Sequence, residues 1–281
     1  MMVEFLRRGT RQLGYEVTGT GPTIVLSHGL ADSRDTFRHL TPLLVKAGYR
    51  VATIDLRGHG DSTPKWDTYT QADTADDIAA LIDHLGAPAA VAGSSFSAGA
   101  AAILAADRPE LVNAVIHLGP ATRPVRPTRA MLRPGHLRGM MLVAATIGLR
   151  SPKLLRRFMR DVAYATHRPD DFDQYLEKLV TTMSQPGRMA AAAGMAMALQ
   201  SRTAVDALPR VTQPALIIMG TLDSDFPDPA AEATAIAALL PAPQIVMIPD
   251  AGHYPHGQFP DEVAAAILSF LDKDSAAPEQ N

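Results

Sequence analysis

The chain of 281 residues contains no cysteine. This absence excludes disulfides, thiolate nucleophiles and zinc–cysteine sites. The N-terminus lacks the apolar core of a secretory signal, and no apolar run approaches transmembrane length. A strong charge excess is also missing, because 26 basic and 29 acidic residues give a net charge of −3. We therefore expect a cytoplasmic protein with no membrane span and no nucleic-acid partner.

Hydrophobic residues make up 47% of the chain, enough for a sizeable core. Apolar runs alternate with segments of helical periodicity. The predicted strands are 5–7, 12–17, 23–27, 50–55, 89–93, 112–118, 214–219 and 244–248, and the predicted helices are 36–47, 71–85, 96–106, 229–239 and 261–271. After the first hairpin the strands are continuous apolar runs, typical of a parallel sheet covered on both faces. The sequence thus predicts an α/β fold with a mostly parallel central sheet.

Residues 121–208 break this alternation. They contain several helical pieces and eight of the twelve methionines, a flexible residue that fills irregular apolar space. The stretch 121–210 is also basic, with 15 Lys and Arg against 6 Asp and Glu, whereas the remainder carries a net charge of −12. A solvated arginine face accounts for this charge, and an anionic substrate or an acidic carrier protein stays open as an alternative.

The stretch 93–99, Gly-Ser-Ser-Phe-Ser-Ala-Gly, joins a predicted strand to a predicted helix. A serine on such a tight turn is the geometry of a nucleophile elbow. The elbow pattern is Gly-x-Ser-x-Gly, and two serines compete for its central position. With Ser95 at the centre, Gly93 is the first glycine and Ser97 replaces the second. With Ser97 at the centre, Gly99 is the second glycine and Ser95 replaces the first. The apolar run that predicts this strand ends at Ala92, which favours Ser95. A plain Gly/Ser loop is the alternative. As a substitute for glycine, Ser97 is expected to have its hydroxyl satisfied by the helix backbone.

Polar clusters follow four other predicted strands. They are Ser27-His28-Gly29-Leu30, the stretch 55–62, Gly220-Thr221-Leu222-Asp223 and Ala251-Gly252-His253. In open α/β sheets the carboxyl ends of the strands are where ligands bind. Together with the serine turn, these segments resemble the α/β-hydrolase superfamily, in its lidded esterase, lipase and C–C hydrolase-like branch, over about residues 5–271.

The resemblance implies an α/β-hydrolase core formed by residues 1–120 and 209–281. Residues 121–208 would form a helical lid, or cap, inserted after the sixth strand. In chain order the resemblance gives Ser95 as nucleophile, Asp223 as acid and His253 as base.

Three neighbouring residues compete for these roles. His256 is a rival to His253, but it lacks a preceding glycine. Asp225 and Asp228 are rivals to Asp223, and we expect them instead to shape the turn or to cap the following helix.

Two backbone N–H groups are candidates for an oxyanion hole. Phe96 follows Ser95 at a helix N-terminus, where its N–H can face a developing negative charge. Leu30 supplies the second N–H by resemblance. Arg57 and His59 are interpreted as structural residues behind the site. No phosphate-binding glycine loop and no metal-ligand spacing stands out, so we expect neither cofactor nor metal.

These features predict a serine hydrolase that cleaves a carboxylic ester of a small-to-medium apolar substrate through an acyl-enzyme. A C–C bond hydrolase, lactonase, thioesterase or perhydrolase would use the same three residues, and a hydroxynitrile lyase is not excluded. Epoxide hydrolases and haloalkane dehalogenases of this fold use an aspartate nucleophile, so Ser95 speaks against both. A catalytically silent small-molecule binder is the alternative from another class. A homodimer stays open.

Overall fold

A central sheet of eight strands organises residues 2–124, 129, 133–199 and 203–275, the part of the chain that the computed structural model describes. The strands are β1 (Glu4–Arg8), β2 (Arg11–Thr18), β3 (Thr23–Ser27), β4 (Arg50–Ile54), β5 (Ala89–Ser94), β6 (Val112–Leu118), β7 (Ala215–Gly220) and β8 (Pro243–Ile248). Their order is β1-β2-β4-β3-β5-β6-β7-β8. Strand β2 pairs antiparallel with β1 and β4, and the other pairs are parallel. The predicted mostly parallel sheet is confirmed.

Helices cover both faces of the sheet. The helices in the described part of the chain are α1 (Leu40–Lys46), α2 (Gln71–Leu85), α3 (Phe96–Asp107), α4 (Pro134–Gly148), α5 (Pro152–Phe158), α6 (Phe172–Met183), α7 (Arg188–Ala198), α8 (Thr203–Ala207), α9 (Pro229–Ala237), α10 (Pro255–Gln258) and α11 (Pro260–Ser275). Helices α2, α3, α8 and α9 bury apolar side chains against one face, and α1 and α11 against the other. This arrangement is the predicted α/β-hydrolase fold.

The local sequence explains the helix ends. Helix α2 begins after a capping box in which Thr70 and Asp73 exchange side-chain and backbone hydrogen bonds. It ends at Gly86, whose φ of +80° suits glycine. The predicted helix 36–47 was too long, because the chain makes a 3₁₀ turn at Arg34–Phe37 before α1 begins.

Between β6 and β7 the chain leaves the sheet and forms α4 to α7 before returning through α8. Apolar residues of α5, α6 and α7 form a separate cluster with Ala31 and Tyr254, which belong to loops at the carboxyl edge of the sheet. Met131, one of the eight methionines of the predicted lid, lies outside the described residues. None of the helices in the described part of the chain has the length and apolar character for a bilayer crossing.

Candidate active site

Ser95 lies on a strained turn between β5 and α3. Its φ of 50° and ψ of −110° are rare for a residue with a side chain and cost about 1–3 kcal/mol. The turn is held because the Ser95 N–H donates to the Leu118 carbonyl at 2.9 Å, and the Ser95 carbonyl accepts from Ala98 and Ala121 at 3.1 Å each. This is the backbone form that a nucleophile elbow requires.

The glycine before this turn has a steric reason. A Cβ on Gly93 would lie 2.2 Å from the Ser97 carbonyl oxygen, so a side chain there would push α3 away from the strand. Ser97 itself is fully buried, and its Oγ donates to the His28 carbonyl at 2.5 Å. The expectation that the helix backbone satisfies this hydroxyl was therefore wrong. Ser97 instead ties the serine turn to the loop after β3.

That loop is fixed by His28. Its Nδ1 lies 2.7 Å from the Gly29 carbonyl and its Nε2 accepts the Leu56 N–H at 3.0 Å, so the ring is neutral with its proton on Nδ1. Burial lowers the pKa of His28 to about 4, which keeps it neutral. Gly29 packs so close to the serine turn that an added Cβ would lie 3.0 Å from Ser95 Cβ.

The two predicted oxyanion-hole residues lie on these two adjoining turns. Phe96 is the first residue of α3, and Leu30 directly follows Gly29. Neither N–H donates to a carbonyl of another described residue in the loops and turns. The side chains of both pack in one cluster with Leu56 and with Met195 of α7. The two N–H groups therefore lie near Ser95 and lack a partner in the described part of the chain.

His253 and Asp223 form a buried hydrogen-bonded pair. His253 Nδ1 lies 2.9 Å from Asp223 Oδ1 and 3.0 Å from Oδ2, and the side chains are 4% and 0% exposed. The Asp225 N–H also donates to Asp223 Oδ1, at 3.0 Å. A carboxylate on Nδ1 orients the ring and fixes its tautomer, which leaves Nε2 as the reactive nitrogen.

Asp225 does not have the turn-shaping role that we predicted. Its Oδ2 lies 3.4 Å from His253 Nε2, so the imidazole sits between two carboxylates. Burial lowers the pKa of His253, but Asp223 and Asp225 outweigh it and raise that pKa to about 9. Asp225 is only two residues from Asp223, but the sequence alone did not show that it turns toward the histidine.

The end of β6 lies beside both the serine turn and the histidine, through Leu118 and through Gly119, the residue after β6. The Ser95 N–H bonds the carbonyl of Leu118, and a Cβ on Gly119 would lie 2.9 Å from the His253 carbonyl oxygen and 3.4 Å from Asp223 Oδ2. Among the described residues, however, Ser95 Oγ makes no hydrogen bond to His253. The structure brings the three predicted residues to one edge of the sheet, with the Nε2 of the histidine directed at Asp225.

The rival residues have other partners. His256 is fully buried, its Nε2 lies 3.0 Å from Thr36 Oγ1, and burial lowers its pKa to about 3. Asp228 caps α9 by accepting the Ala231 N–H at 3.0 Å, as predicted. These contacts engage both side chains within the scaffold.

Arg57 and His59 also have scaffold contacts, in line with their interpretation as structural residues. The Arg57 Nε donates to Asp77 at 2.8 Å, and its guanidinium lies over the Trp66 ring. His59 is buried with Nδ1 3.0 Å from the Arg57 carbonyl.

Asp223, Asp225 and His253 bring three donor atoms within 4.8 Å of one another, a grouping that the sequence spacing did not predict. The contacts of both carboxylates with the imidazole account for this closeness, and we assign no metal to it.

A cavity of about 390 Å³ lies beside this group, between the N-terminal part of α4 and the loop after β7. Its lining includes Arg133, His136 and Ser224 and reaches Asp223, but not Ser95 or His253. The cavity therefore borders the acid side of the site.

Comparison with known proteins identifies the family. The family model for the alpha/beta hydrolase fold matches residues 22–260. A 2-(acetamidomethylene)succinate hydrolase from Mesorhizobium japonicum is 30% identical over 273 residues, which cover 94% of this chain and 93% of the relative. The sn-1-specific diacylglycerol lipase ABHD11 of Mus musculus is 28% identical over 262 residues, covering 90% and 81%.

A solved structure gives the same result. The malate-bound structure of a thermophilic esterase from Thermogutta terrifontis has a TM-score of 0.76 at 26% identity, covering 98% of this chain and 99% of that one. These relatives and this esterase are named as hydrolases of several substrates, which supports an enzyme here without specifying its substrate. The chain belongs to the alpha/beta hydrolase fold family.

Proposed function

We propose that this protein is a serine hydrolase that cleaves a carboxylic ester, with Ser95 as nucleophile, His253 as base and Asp223 as acid. The observation that carries the proposal is the buried His253–Asp223 pair at the same sheet edge as a serine on a strained turn. A serine hydroxyl needs a positioned base to become a useful nucleophile, and a carboxylate on Nδ1 directs the Nε2 lone pair to that task.

The reaction follows from these groups. With the imidazole neutral, His253 Nε2 takes the Ser95 proton as Oγ attacks the acyl carbon. The carbonyl oxygen becomes an oxyanion, and the N–H groups of Leu30 and Phe96 stabilise it. His253 then gives the proton to the leaving alcohol, and water repeats the sequence on the acyl-enzyme. Because Nε2 faces Asp225 in the resting structure, the imidazole turns toward Ser95 in the first step.

We propose further that residues 121–208 act as a lid over this site. Met195 of α7 packs with Phe96 and Leu56, directly beside the serine turn. On α6, the Tyr175 hydroxyl donates to the buried Asp32 at 2.5 Å. The inserted helices thus contact both loops that carry the proposed oxyanion hole, which supports a covering role.

Uncharged apolar acyl groups are the proposed substrates. The helices of the proposed lid, residues 121–208, contain many Met, Ala and Leu side chains. Such side chains can bury an apolar acyl group and offer no polar group to bind a charged one. Asp225 places a carboxylate beside the reactive nitrogen, with its side chain 37% exposed, and a negatively charged substrate would be repelled. The succinate named for one relative is therefore a poor guide to the substrate here.

A matched pair of esters tests this proposal. We expect p-nitrophenyl butyrate to exceed the anionic p-nitrophenyl hemisuccinate in kcat/KM by at least about tenfold, and Asp225→Asn to narrow the gap. Lactones and thioesters of similar length, measured in the same series, separate the other reactions that this triad supports. Faster turnover of the hemisuccinate would contradict the proposed substrate class, and no turnover of any of these compounds would favour a binder.

The activity should rise at a higher pH than it would if the base had the pKa of an ordinary histidine. His253 must be neutral to act as base, and Asp223 and Asp225, opposed by burial, raise its pKa to about 9. Asp32, Tyr254 and His256 also lie close by. We therefore expect the kcat/KM of a neutral ester to rise with pH toward an inflection near 9, rather than near the reference value of about 6.5.

Asp225→Asn is the control for this pH dependence. It removes a negative charge beside Nε2, so the inflection should move to lower pH and activity at pH 7 should increase. A profile that does not move would show that Asp225 leaves the base unaffected.

A further inference from the structure

Helix α4 turns an apolar face outward. Leu137, Met140, Met141 and Ala144 have the i, i+3, i+4, i+7 spacing of one helix face, which we call the outer face of α4. Leu137, Met140 and Met141 are 40%, 44% and 64% exposed, and Leu149 at the end of the helix is 73% exposed. Nine large apolar side chains are exposed among the described residues, and four of them fall within 137–149. Packing among the described residues does not explain such a concentration.

Unpaired cations flank this face. The sequence has no Asp or Glu from residue 111 to 160, but it has ten Lys and Arg there. Five exposed members near α4 form no salt bridge with a described residue: Arg129, Arg133, Arg138, Arg150 and Lys153. Farther along, Arg156, Arg157 and Arg160 are instead paired with Glu177, Asp161 and Asp173. The cations left unpaired are thus those nearest to the exposed apolar side chains.

This combination selects among the partners that could cover the face. A second copy in a symmetric dimer would bring an identical set of cations against the first, so its charges would repel. An apolar helix face flanked by Lys and Arg is the pattern of a helix that lies in a lipid–water interface. Its apolar side chains enter the acyl boundary while its cations meet anionic headgroups.

We propose that the outer face of α4 docks on the surface of an anionic lipid bilayer. Leu137, Met140, Met141 and Leu149 enter the interface, and the unpaired cations Arg138, Arg150 and Lys153 contact lipid phosphates. This docking concerns only the outer surface of the inserted helices and does not depend on the proposed ester hydrolysis. The helix lies in the plane of the interface and does not cross it.

Vesicle co-sedimentation of the full chain tests the proposal. We expect binding to vesicles of phosphatidylcholine with 30% phosphatidylglycerol, much weaker binding to phosphatidylcholine alone, and weakening at high salt because the cations are screened. A basic residue at such a surface is worth roughly fivefold in partitioning, so Arg138→Gln with Arg150→Gln should weaken binding by about 25-fold.

The contribution of the apolar side chains to vesicle binding is tested by Met140→Ser with Met141→Ser. This double substitution keeps every charge and should also reduce binding to the anionic vesicles. The matched control is Phe5→Ser with Arg7→Gln on β1, at an outer edge of the sheet, which removes an exposed apolar residue and an exposed cation elsewhere. This control should bind like the wild type. Circular dichroism and melting temperature establish that each variant is folded.

Three results would overturn the proposal. The first is no binding to the anionic vesicles at low salt. The second is binding that survives both methionine substitutions or falls equally in the β1 control, since the charge alone or another surface then accounts for it. The third is a dimer in analytical ultracentrifugation that Met140→Ser with Met141→Ser dissociates, because a second copy would then cover the face.

Discussion

Ser95→Ala is expected to reduce ester hydrolysis by about a millionfold in turnover while leaving the fold intact, since loss of a triad nucleophile typically has this size of effect. Ser97 Oγ does not replace the lost Oγ, because it is bonded to the His28 carbonyl. Alanine keeps the backbone hydrogen bonds that hold the turn. Steady-state rates with a p-nitrophenyl ester measure the loss.

Ser97→Ala is the matched control. It removes the donor to a buried carbonyl, which costs about 1–3 kcal/mol of stability. We expect a lower melting temperature with hydrolysis retained. Mass spectrometry of a fluorophosphonate adduct identifies the nucleophile directly, and an adduct on Ser97 would show that the wrong serine has been assigned.

Asp223→Asn is expected to lower turnover by about ten-thousandfold, the size of effect known for this substitution in other triads. The asparagine amide can donate to Nδ1, which puts the imidazole proton on Nε2. In this protein that Nε2–H can donate a hydrogen bond to Asp225, whose Oδ2 lies 3.4 Å from Nε2, and the proton then stays on Nε2. The base would then be held in the tautomer that cannot deprotonate Ser95.

Asp225→Asn provides the comparison for this experiment. It should retain activity, with the pH profile moved to lower pH, so the two substitutions act in opposite directions at pH 7. Turnover of both variants across pH 6 to 10, with a neutral ester, distinguishes them. Equal losses would mean that the acid has been wrongly assigned.

Much of the core could be predicted because its signals are local. The helix at 71–85 is bounded by residues next to it in sequence, the capping residue Thr70 and the C-terminal Gly86. Its predicted bounds agree with those of the structure. The strands that carry the site are apolar runs followed by polar residues. Their common edge follows from parallel pairing, so Ser95, Asp223 and His253 could be expected near one another.

The order of the strands and the surroundings of the histidine depend on contacts between distant residues. The bond from Ser97 to His28 joins residues 69 positions apart, and no local pattern indicates it. The direction of the Asp225 carboxylate follows from the turn after β7, in which the Asp225 N–H bonds Asp223. The exposure of the outer face of α4 could not be predicted either, since a run of apolar residues does not show which side of a helix lacks a packing partner.

The two carboxylates at His253 also link folding to proton binding. Its folded-state pKa of about 9 lies above the unfolded value near 6.5, so the folded chain holds this proton more tightly. The stabilisation is fully present below pH 6.5 and is lost as the pH rises toward 9. Over the same interval the base becomes neutral and competent. As far as this residue contributes, therefore, thermodynamic stability falls and turnover rises as the pH increases. Removing the Asp225 charge should bring the folded-state pKa of His253 closer to its unfolded value, which makes this opposition smaller.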